Sequence, residues 1–170
     1  MNAREIESCV ADWFNYRRNL IVPNVSWGLR GLSHEADLLV LSPSGWCTEV
    51  EIKITGSDIK ADLGKRTFAR SRYDGWLSHW GPLIRYVYFA VPFNLVEHPD
   101  IPKHAGLLGI AAADSSQDAT PCSDFAYRVT KHRMAKTNYK AEQFNKAQRL
   151  KLASLGCMRI WSLKKKLGVK

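Results

Sequence analysis

The chain has 170 residues, of which 45% are hydrophobic and 11% aromatic, so it can bury the core of one domain without disulfide bonds or a structural metal. The four cysteines stand far apart and form no Cys-x-x-Cys pair, which argues against a zinc knuckle and favours free, mostly buried thiols in a reducing compartment. Neither a signal peptide nor an apolar run of membrane-spanning length is present, so we expect a soluble, cytoplasmic protein without membrane contacts.

The net charge of +9 is concentrated near the carboxyl end. Residues 126–170 contain thirteen Lys or Arg and the single acid Glu142, whereas residues 1–125 contain twelve basic and fifteen acidic residues. A basic segment on a mildly acidic body favours a polyanionic partner, because each phosphate contact releases a counterion. The alternative is a solvated helix face that only keeps the protein in solution.

The first part of the chain predicts a helix followed by three strands. Residues 3–20 place apolar side chains at helical spacing, and Asn2 can cap that helix. A first strand, bent or bulged at Pro23, precedes an apolar run over 36–41 that is typical of a strand buried on both faces. Turn residues then lead to a third strand over 46–55, and the three strands can form an antiparallel meander.

Strands and helices alternate in the rest of the chain. Ser57 or Asp58 can cap a helix that runs to about residue 66, with Ile59 and Leu63 directed inward. Residues 66–82 carry no clear pattern. Further strands are predicted over 83–92, 105–113 and 125–130, with a polar surface loop over 113–124.

Two helices are predicted at the carboxyl end. The first covers residues 140–155, with Phe144, Ala147 and Leu150 inward, and stops at Gly156; the second covers residues 158–167. The whole order of elements predicts an α/β sandwich with a mixed sheet.

The second and third strands carry the charged residues that could bind a metal ion or take part in catalysis. Asp37 opens the second strand, and Glu49, Glu51 and Lys53 share one face of the third because side chains alternate across a strand. Carboxylates on neighbouring strands can hold a hard divalent cation through oxygen. A lone Glu-x-Lys triplet also describes any half-exposed polar strand, but the apolar partner strand and the glycine-terminated helix that follows favour a metal site.

These residues resemble a known nuclease superfamily. Asp37, thirteen intervening residues and then Glu51-Ile52-Lys53 resemble the PD-(D/E)XK signature, although Ala36 stands where a proline often precedes the acid. The runs Val-Glu-Ile-Lys at 50–53, Asp-Ile-Lys-Ala-Asp-Leu-Gly-Lys at 58–65, Tyr-Phe-Ala-Val-Pro at 88–92 and Ala-Gly-Leu-Leu at 105–108 are similar to MmcB-like DNA-repair nucleases and related phage proteins. The resemblance spans about residues 5–112.

The resemblance implies a fold and a mechanism. The fold is a restriction-endonuclease-like αβββαβ core over about residues 3–131, with a mixed sheet flanked by helices, and a basic helical extension over about 132–170 of the same domain. One or two Mg²⁺ ions, for which Mn²⁺ can substitute, would be held by Asp37, Glu51 and the Ile52 carbonyl and would polarise the phosphate and a water. Lys53 would orient or activate that water.

Other polar residues near this motif have competing interpretations. A glutamate from the first helix often joins such sites; Glu7 is the first choice and Glu5 the alternative, but an acid there also suits the helix dipole. Glu49 is either a supporting carboxylate or solvent-facing, the latter being favoured. His34 can contact a phosphate or have a purely structural role, and His79 can touch DNA or a loop carbonyl.

Cations interleaved with aromatic residues follow the motif, and a further basic group lies near residue 131. Such clusters suit phosphate contacts, although surface side chains that only snorkel show the same composition. The predicted nucleic-acid contacts are Lys60, Lys65, Arg66, Arg70, Arg72, Lys131, Arg133 and Lys136, with Lys164, Lys165 and Lys166 as a third cluster.

Together these observations predict a Mg²⁺-dependent endodeoxyribonuclease that acts on double-stranded or branched DNA, in repair, recombination or phage DNA processing. The alternatives are a DNA-binding module that uses a nuclease scaffold without turnover and an enzyme directed at RNA. Monomer and homodimer both remain open.

Overall fold

The computed structural model describes residues 1–25, 29, 32, 34–63, 82–112, 120–121 and 127–168. These residues form a mixed α/β structure in which helices cover both faces of one sheet. The elements, in chain order, are α1 (Ala3–Trp13), β1 (Leu20–Val25), β2 (Ala36–Leu41), β3 (Cys47–Ile52), α2 (Gly56–Leu63), β4 (Ile84–Pro92), a short 3-10 turn (Phe93–Leu95), β5 (Gly106–Ala112), β6 (Thr120–Pro121), β7 (Tyr127–Arg133) and α3 (Lys146–Leu167).

Within the described residues, the sheet has seven strands in the order β1-β2-β3-β4-β5-β7-β6. β1, β2 and β3 form the predicted antiparallel meander, while β4 and β5 run parallel to β3 and β7 runs antiparallel to β5. The predicted mixed sheet is therefore confirmed. Pro23 is accommodated because β1 lies at the edge of the sheet, where a strand residue without an N–H is tolerated.

Each face of the sheet has its own hydrophobic core. On one face α1 contributes Ile6, Cys9 and Val10 to a cluster that includes Leu38 and Val50; we call this the α1-side core. On the other face Ile59 of α2 and Leu152 of α3 join a cluster with Leu39, Cys47 and Phe89, which we call the α3-side core. β2 is buried on both faces, as its continuous apolar run predicts.

α1 is shorter than its sequence pattern predicts. Asn2 caps the helix in a reciprocal capping box with Glu5, as expected, but the helix ends at Trp13 and not near residue 20. Asn15 has a φ of 55°, a left-handed conformation that cannot continue a right-handed helix. The remaining apolar periodicity falls in turns, and Trp13 and Phe14 pack around the ring of Tyr88.

A short, hydrogen-bonded connection joins the polar end of β3 to α2. β3 ends at Ile52, earlier than predicted. The hydroxyl of Thr55 accepts the N–H of Asp58, and the Asp58 carboxylate accepts the N–H of Thr55. Thr55 is therefore the capping residue and Asp58 its reciprocal partner, so the prediction that Ser57 or Asp58 caps α2 was wrong.

α3 corrects the prediction of two helices. It runs unbroken through Gly156 from an Asn145 capping box to Gly168, which adopts the left-handed conformation typical of a helix end. Gly156 lies against Val22, where a side chain would crowd the valine, so close packing explains the glycine. Phe144 is buried but precedes the helix, and Leu150, which was predicted inward, is 73% exposed.

The cysteines follow the expected pattern only in part. Cys9 and Cys47 are buried thiols, whereas Cys157 is exposed on α3, and Cys122 lies outside the described residues. Burial raises the pKa of the Cys47 thiol, and the nearby Glu49 carboxylate raises it further, so Cys47 is an inert core residue. In the described part of the chain, no helix combines the length and the apolar character needed to cross a membrane.

Candidate metal centre

The pairing of β2 with β3 gathers four charged side chains at one end of these strands. Leu39 pairs with Glu49 and Leu38 with Val50, so the same register brings Asp37 next to Glu51. Val50 points into the α1-side core and Cys47 into the α3-side core. The predicted alternation is confirmed for Glu49 and Glu51, which lie on the opposite face of β3 from Val50, and Lys53 contacts both Glu51 and Asp37 at this end of the strands.

Lys53 links the two carboxylates of the predicted signature. Its ammonium nitrogen donates to Glu51 Oε2 at 2.7 Å and to Asp37 Oδ2 at 3.3 Å. The lysine is only 6% exposed and Glu51 only 4%, so this contact lies in a poorly solvated environment. The structure therefore brings together the three residues that the sequence singled out, with Lys53 between the acids.

Asp37 is the open member of this group. Its side chain is 37% exposed, and Oδ2 also accepts the backbone N–H of Ile52 at 2.9 Å. That hydrogen bond fixes the carboxylate against the end of β3, because a backbone donor cannot rotate away. Asp37 is thus held in place by one strand while it remains accessible from solvent.

Glu51 is electrostatically strained without a cation. Burial raises the pKa of its carboxyl well above the usual range, and the negative charges of Glu49 and Asp37 raise it further, while Lys53 opposes both effects. Among the described residues, the single ammonium of Lys53 does not balance the carboxylates of Asp37, Glu49 and Glu51. A divalent cation would lower that pKa again, because it favours the ionised form of each acid around it.

His34 and Glu49 form a second polar pair beside Glu51. His34 Nε2 lies 2.5 Å from Glu49 Oε1, and Glu49 is only 2% exposed. The solvent-facing interpretation of Glu49 was wrong. A sequence signal for its burial existed, since its direct partner Leu39 belongs to a strand buried on both faces, but nothing in the sequence placed His34 against it.

These residues have the composition and spacing of a metal site. His34, Glu49 and Glu51 offer donor atoms that lie within 4.8 Å of one another, so this cluster can hold a metal ion. Glu49 Oε2 is buried and accepts no hydrogen bond from any residue that the structure describes. A buried carboxylate oxygen left in this state fits a cation, which would satisfy it directly.

The two candidate glutamates of α1 have different environments. Glu5 is committed to the helix cap, where its carboxylate accepts the Asn2 N–H and lies 3.6 Å from the amino terminus. Glu7 is half-buried, and its pKa is raised by burial and by the negative charge of Asp37, against a smaller opposing effect of Arg4. Glu7, the first choice from the sequence, is therefore the glutamate that shares the electrostatic environment of Asp37.

The predicted nucleic-acid contacts divide into three groups. Lys60, Lys131, Lys136 and the cluster Lys164 to Lys166 are exposed. Arg133 instead donates to the carbonyls of Ala105 and Pro102, at 2.8 and 3.0 Å, so it ties β7 to the segment before β5. The remaining predicted residues lie outside the described part of the chain, namely Lys65, Arg66, Arg70, Arg72 and His79.

Comparisons with known proteins identify a similar fold but no activity. No protein-family model matches the chain, and no curated protein matches it. Among solved structures it is similar to SPO1766, a protein of unknown function from Silicibacter pomeroyi, with a TM-score of 0.61 and 20% sequence identity. The match covers 100% of this chain and 96% of that one, so the two share a fold over their whole length.

Proposed function

We propose that this protein is a metal-dependent nuclease that hydrolyses phosphodiester bonds of DNA, with Asp37, Glu51 and Lys53 as its catalytic core. The observation that carries the proposal is the contact of one buried lysine with both carboxylates at the end of β3. Burying the Lys53 ammonium and the Glu51 carboxylate costs free energy, and such buried charged groups are concentrated at functional sites.

The order of elements supports the PD-(D/E)XK assignment. The chain begins α1-β1-β2-β3-α2-β4, which is the αβββαβ order that the resemblance implies. The acids lie on β2 and β3, where that signature would put them. We therefore propose that the fold is a restriction-endonuclease-like core, and that α3 is its basic extension.

Each residue has a distinct role in the proposed reaction. Asp37, which is open to solvent, and Glu51, which is buried, would together hold a divalent cation near the scissile phosphate, with the Ile52 carbonyl and Glu7 as further ligands. Mg²⁺ or Mn²⁺ bound there would supply Lewis-acid catalysis by polarising a phosphate oxygen and acidifying a water. Lys53 would orient the attacking water and offset negative charge that grows on the phosphate.

DNA is the proposed substrate because of the charge distribution. The excess of cations over residues 126–170, where Lys131, Lys136 and Lys164 to Lys166 are exposed, and the exposed Lys60 suit a phosphate backbone, whereas nothing among the described residues points to reading of base edges. The proposal therefore predicts salt-sensitive and largely sequence-independent binding.

A cleavage assay tests this function. Plasmid and branched DNA are incubated with Mg²⁺ or Mn²⁺ and with wild-type protein, Asp37→Ala or Glu51→Ala. We expect cutting by the wild type alone; undiminished cutting by either variant would refute the site assignment. An RNA of equal length, added as competitor, distinguishes a DNA-directed enzyme from an RNA-directed one.

A second candidate is a DNA-binding module without turnover. The observation that favours it is the same Lys53 bridge, because the ammonium already compensates Asp37 and part of the charge on Glu51. That alternative predicts salt-sensitive DNA affinity that is retained in Lys53→Ala, with no cleavage in any metal. The assay above, extended to this variant, separates the two.

A further inference from the structure

His34 lies outside the signature on which the proposed nuclease site rests. It precedes β2, it is 18% exposed at its side chain, and its imidazole nitrogen Nε2 contacts Glu49 Oε1. Glu49 in turn stands two residues before Glu51 on the same face of β3. An imidazole, and not only carboxylates, thus borders the polar cluster.

The charged groups that the structure describes around Glu51 are unevenly distributed. On one side the Lys53 ammonium contacts both Asp37 and Glu51 Oε2. On the other side stand Glu49 and His34. With a neutral imidazole, three carboxylates and one ammonium leave two negative charges, which match the charge of one divalent cation.

The donor atoms are spaced for one ion. Ligands at about 2.1 to 2.2 Å from a metal lie roughly 3 Å apart when adjacent and about 4.3 Å apart when opposite. The donor atoms of His34, Glu49 and Glu51 lie within 4.8 Å of one another, so one ion could contact all three once these side chains adjust and the contact between His34 and Glu49 opens. Glu49 Oε2 is the buried oxygen that accepts no hydrogen bond from a described residue.

An imidazole ligand changes which metal the site prefers. Mg²⁺ takes oxygen ligands and gives up its waters reluctantly, whereas first-row transition metals accept imidazole nitrogen. Two carboxylates with one imidazole suit Mn²⁺, which accepts both kinds of ligand. A site built only from Asp37, Glu51 and a carbonyl would show no such preference beyond the general affinity order.

We propose that His34, Glu49 and Glu51 form a cation position that selects Mn²⁺ over Mg²⁺, beside the Lys53-bridged pair of Asp37 and Glu51. Glu51 belongs to both groups, and His34 sets the selectivity. The proposal deepens the proposed function, since it rests on the same centre, but Mn²⁺ binding can be measured without DNA.

Electron paramagnetic resonance gives the test. Free Mn²⁺ is titrated against the metal-free full chain, with Mg²⁺ as competitor, for the wild type, His34→Gln and the control His132→Gln, whose imidazole is exposed on β7. We expect His34→Gln to weaken Mn²⁺ binding about tenfold or more and to leave Mg²⁺ affinity within about twofold, while the control matches the wild type. An unchanged preference for Mn²⁺ in His34→Gln would overturn the proposal.

A second measurement does not depend on whether the variant folds. Electron spin-echo modulation of Mn²⁺ bound to the wild type should show coupling to a ¹⁴N nucleus of imidazole. Absence of nitrogen coupling in the wild type would overturn the assignment of His34. Nitrogen-coupled Mn²⁺ in a protein that cuts no nucleic acid would refute the nuclease and leave this site standing.

Discussion

The candidate metal centre and helix α3 both carry many charges, but these charges are buried in the first region and exposed in the second. Glu49, Glu51 and Lys53 are between 2% and 6% exposed and contact other charged groups. α3 carries seven Lys or Arg and no acid, and every residue from Cys157 to Gly168 is exposed. Positive charges on that surface cost little, because water and salt screen them.

This difference shows which charges are informative about function. A buried charged group must be compensated, so its presence identifies a site with a specific chemical requirement. Exposed lysines satisfy no such requirement and are equally consistent with solubility. We therefore expect substitutions at the candidate metal centre to have large and specific effects, and substitutions on α3 to have small and additive ones.

The largest effect is expected on DNA cleavage. Glu51→Gln and Asp37→Asn keep the side-chain shape but remove the charge that holds a cation, so cleavage should fall by about a thousandfold or more. Initial rates on plasmid DNA with Mn²⁺ measure this. Glu142→Gln, which removes an exposed acid near α3, is the matched control and should retain the wild-type rate.

Glu51→Gln should also make the metal-free protein more stable. Its carboxyl has a raised pKa in the folded protein, so the folded state binds protons more strongly than the unfolded state and loses stability as the pH rises above the usual range of a glutamate. At neutral pH the amide avoids this cost, and we expect a gain on the order of 1 kcal/mol in the free energy of unfolding. Urea unfolding in the presence of a chelator measures it.

Added metal should make the wild type more stable than Glu51→Gln, the reverse of the order expected in chelator. Added Mn²⁺ binds the folded wild type and stabilises it, whereas Glu51→Gln has lost a ligand and gains less. A wild type that is already more stable than Glu51→Gln in chelator would show that the carboxylate is compensated without metal.

His104 is intermediate between the buried charges around Glu51 and the exposed charges of α3, because it is half-buried close to Lys136 and Arg133. Burial, followed by the positive charges of Lys136 and Arg133, lowers the pKa of His104 to about 4. The unfolded state therefore binds the proton first, and stability present above pH 6.5 is lost as the pH falls toward 4. Allowing for solvent screening, the loss is about 1 to 2 kcal/mol.

Unfolding of His104→Gln and wild type at pH 7 and pH 4.5 measures this contribution, with His132→Gln as the control. We expect the His104 variant to lose less stability on acidification than either of the other two proteins. Equal losses in all three would mean that His104 takes up its proton without cost in the folded protein.

The smallest effects are expected on α3. Replacing Lys164, Lys165 and Lys166 together by Gln should change stability by less than about 0.5 kcal/mol, because all three are exposed. If this cluster contacts phosphates, DNA affinity should fall several-fold, with a reduction of about one in the salt slope for each lysine involved. An unchanged slope in a fluorescence titration would assign these residues to solubility alone.

The sequence predicted most of the sheet because β-strand signals are local. The alternation at Glu49, Val50 and Glu51 and the apolar run of β2 depend only on neighbouring residues, and both were confirmed. Helix ends were less predictable. Gly156 looks like a stop signal in isolation, but its closeness to Val22 in β1 is a tertiary contact that no local pattern contains.

The candidate site was also predictable only where its signals are local. Asp37, Glu51 and Lys53 belong to a recognisable spacing, and strand pairing then brings them together. His34 precedes β2 with no periodic pattern around it, so its contact with Glu49 depends on the path of the chain before that strand. Long-range contacts of this kind are not encoded in any short motif.

Crystals soaked in Mn²⁺ and measured at the manganese absorption edge give the most direct test of the central claim, that this buried charged cluster is a metal centre. We predict an anomalous peak within coordination distance of the Glu51 carboxylate, on the face shared with Asp37 and Glu49. A well-ordered cluster at millimolar Mn²⁺ with no peak near Glu51 would contradict it.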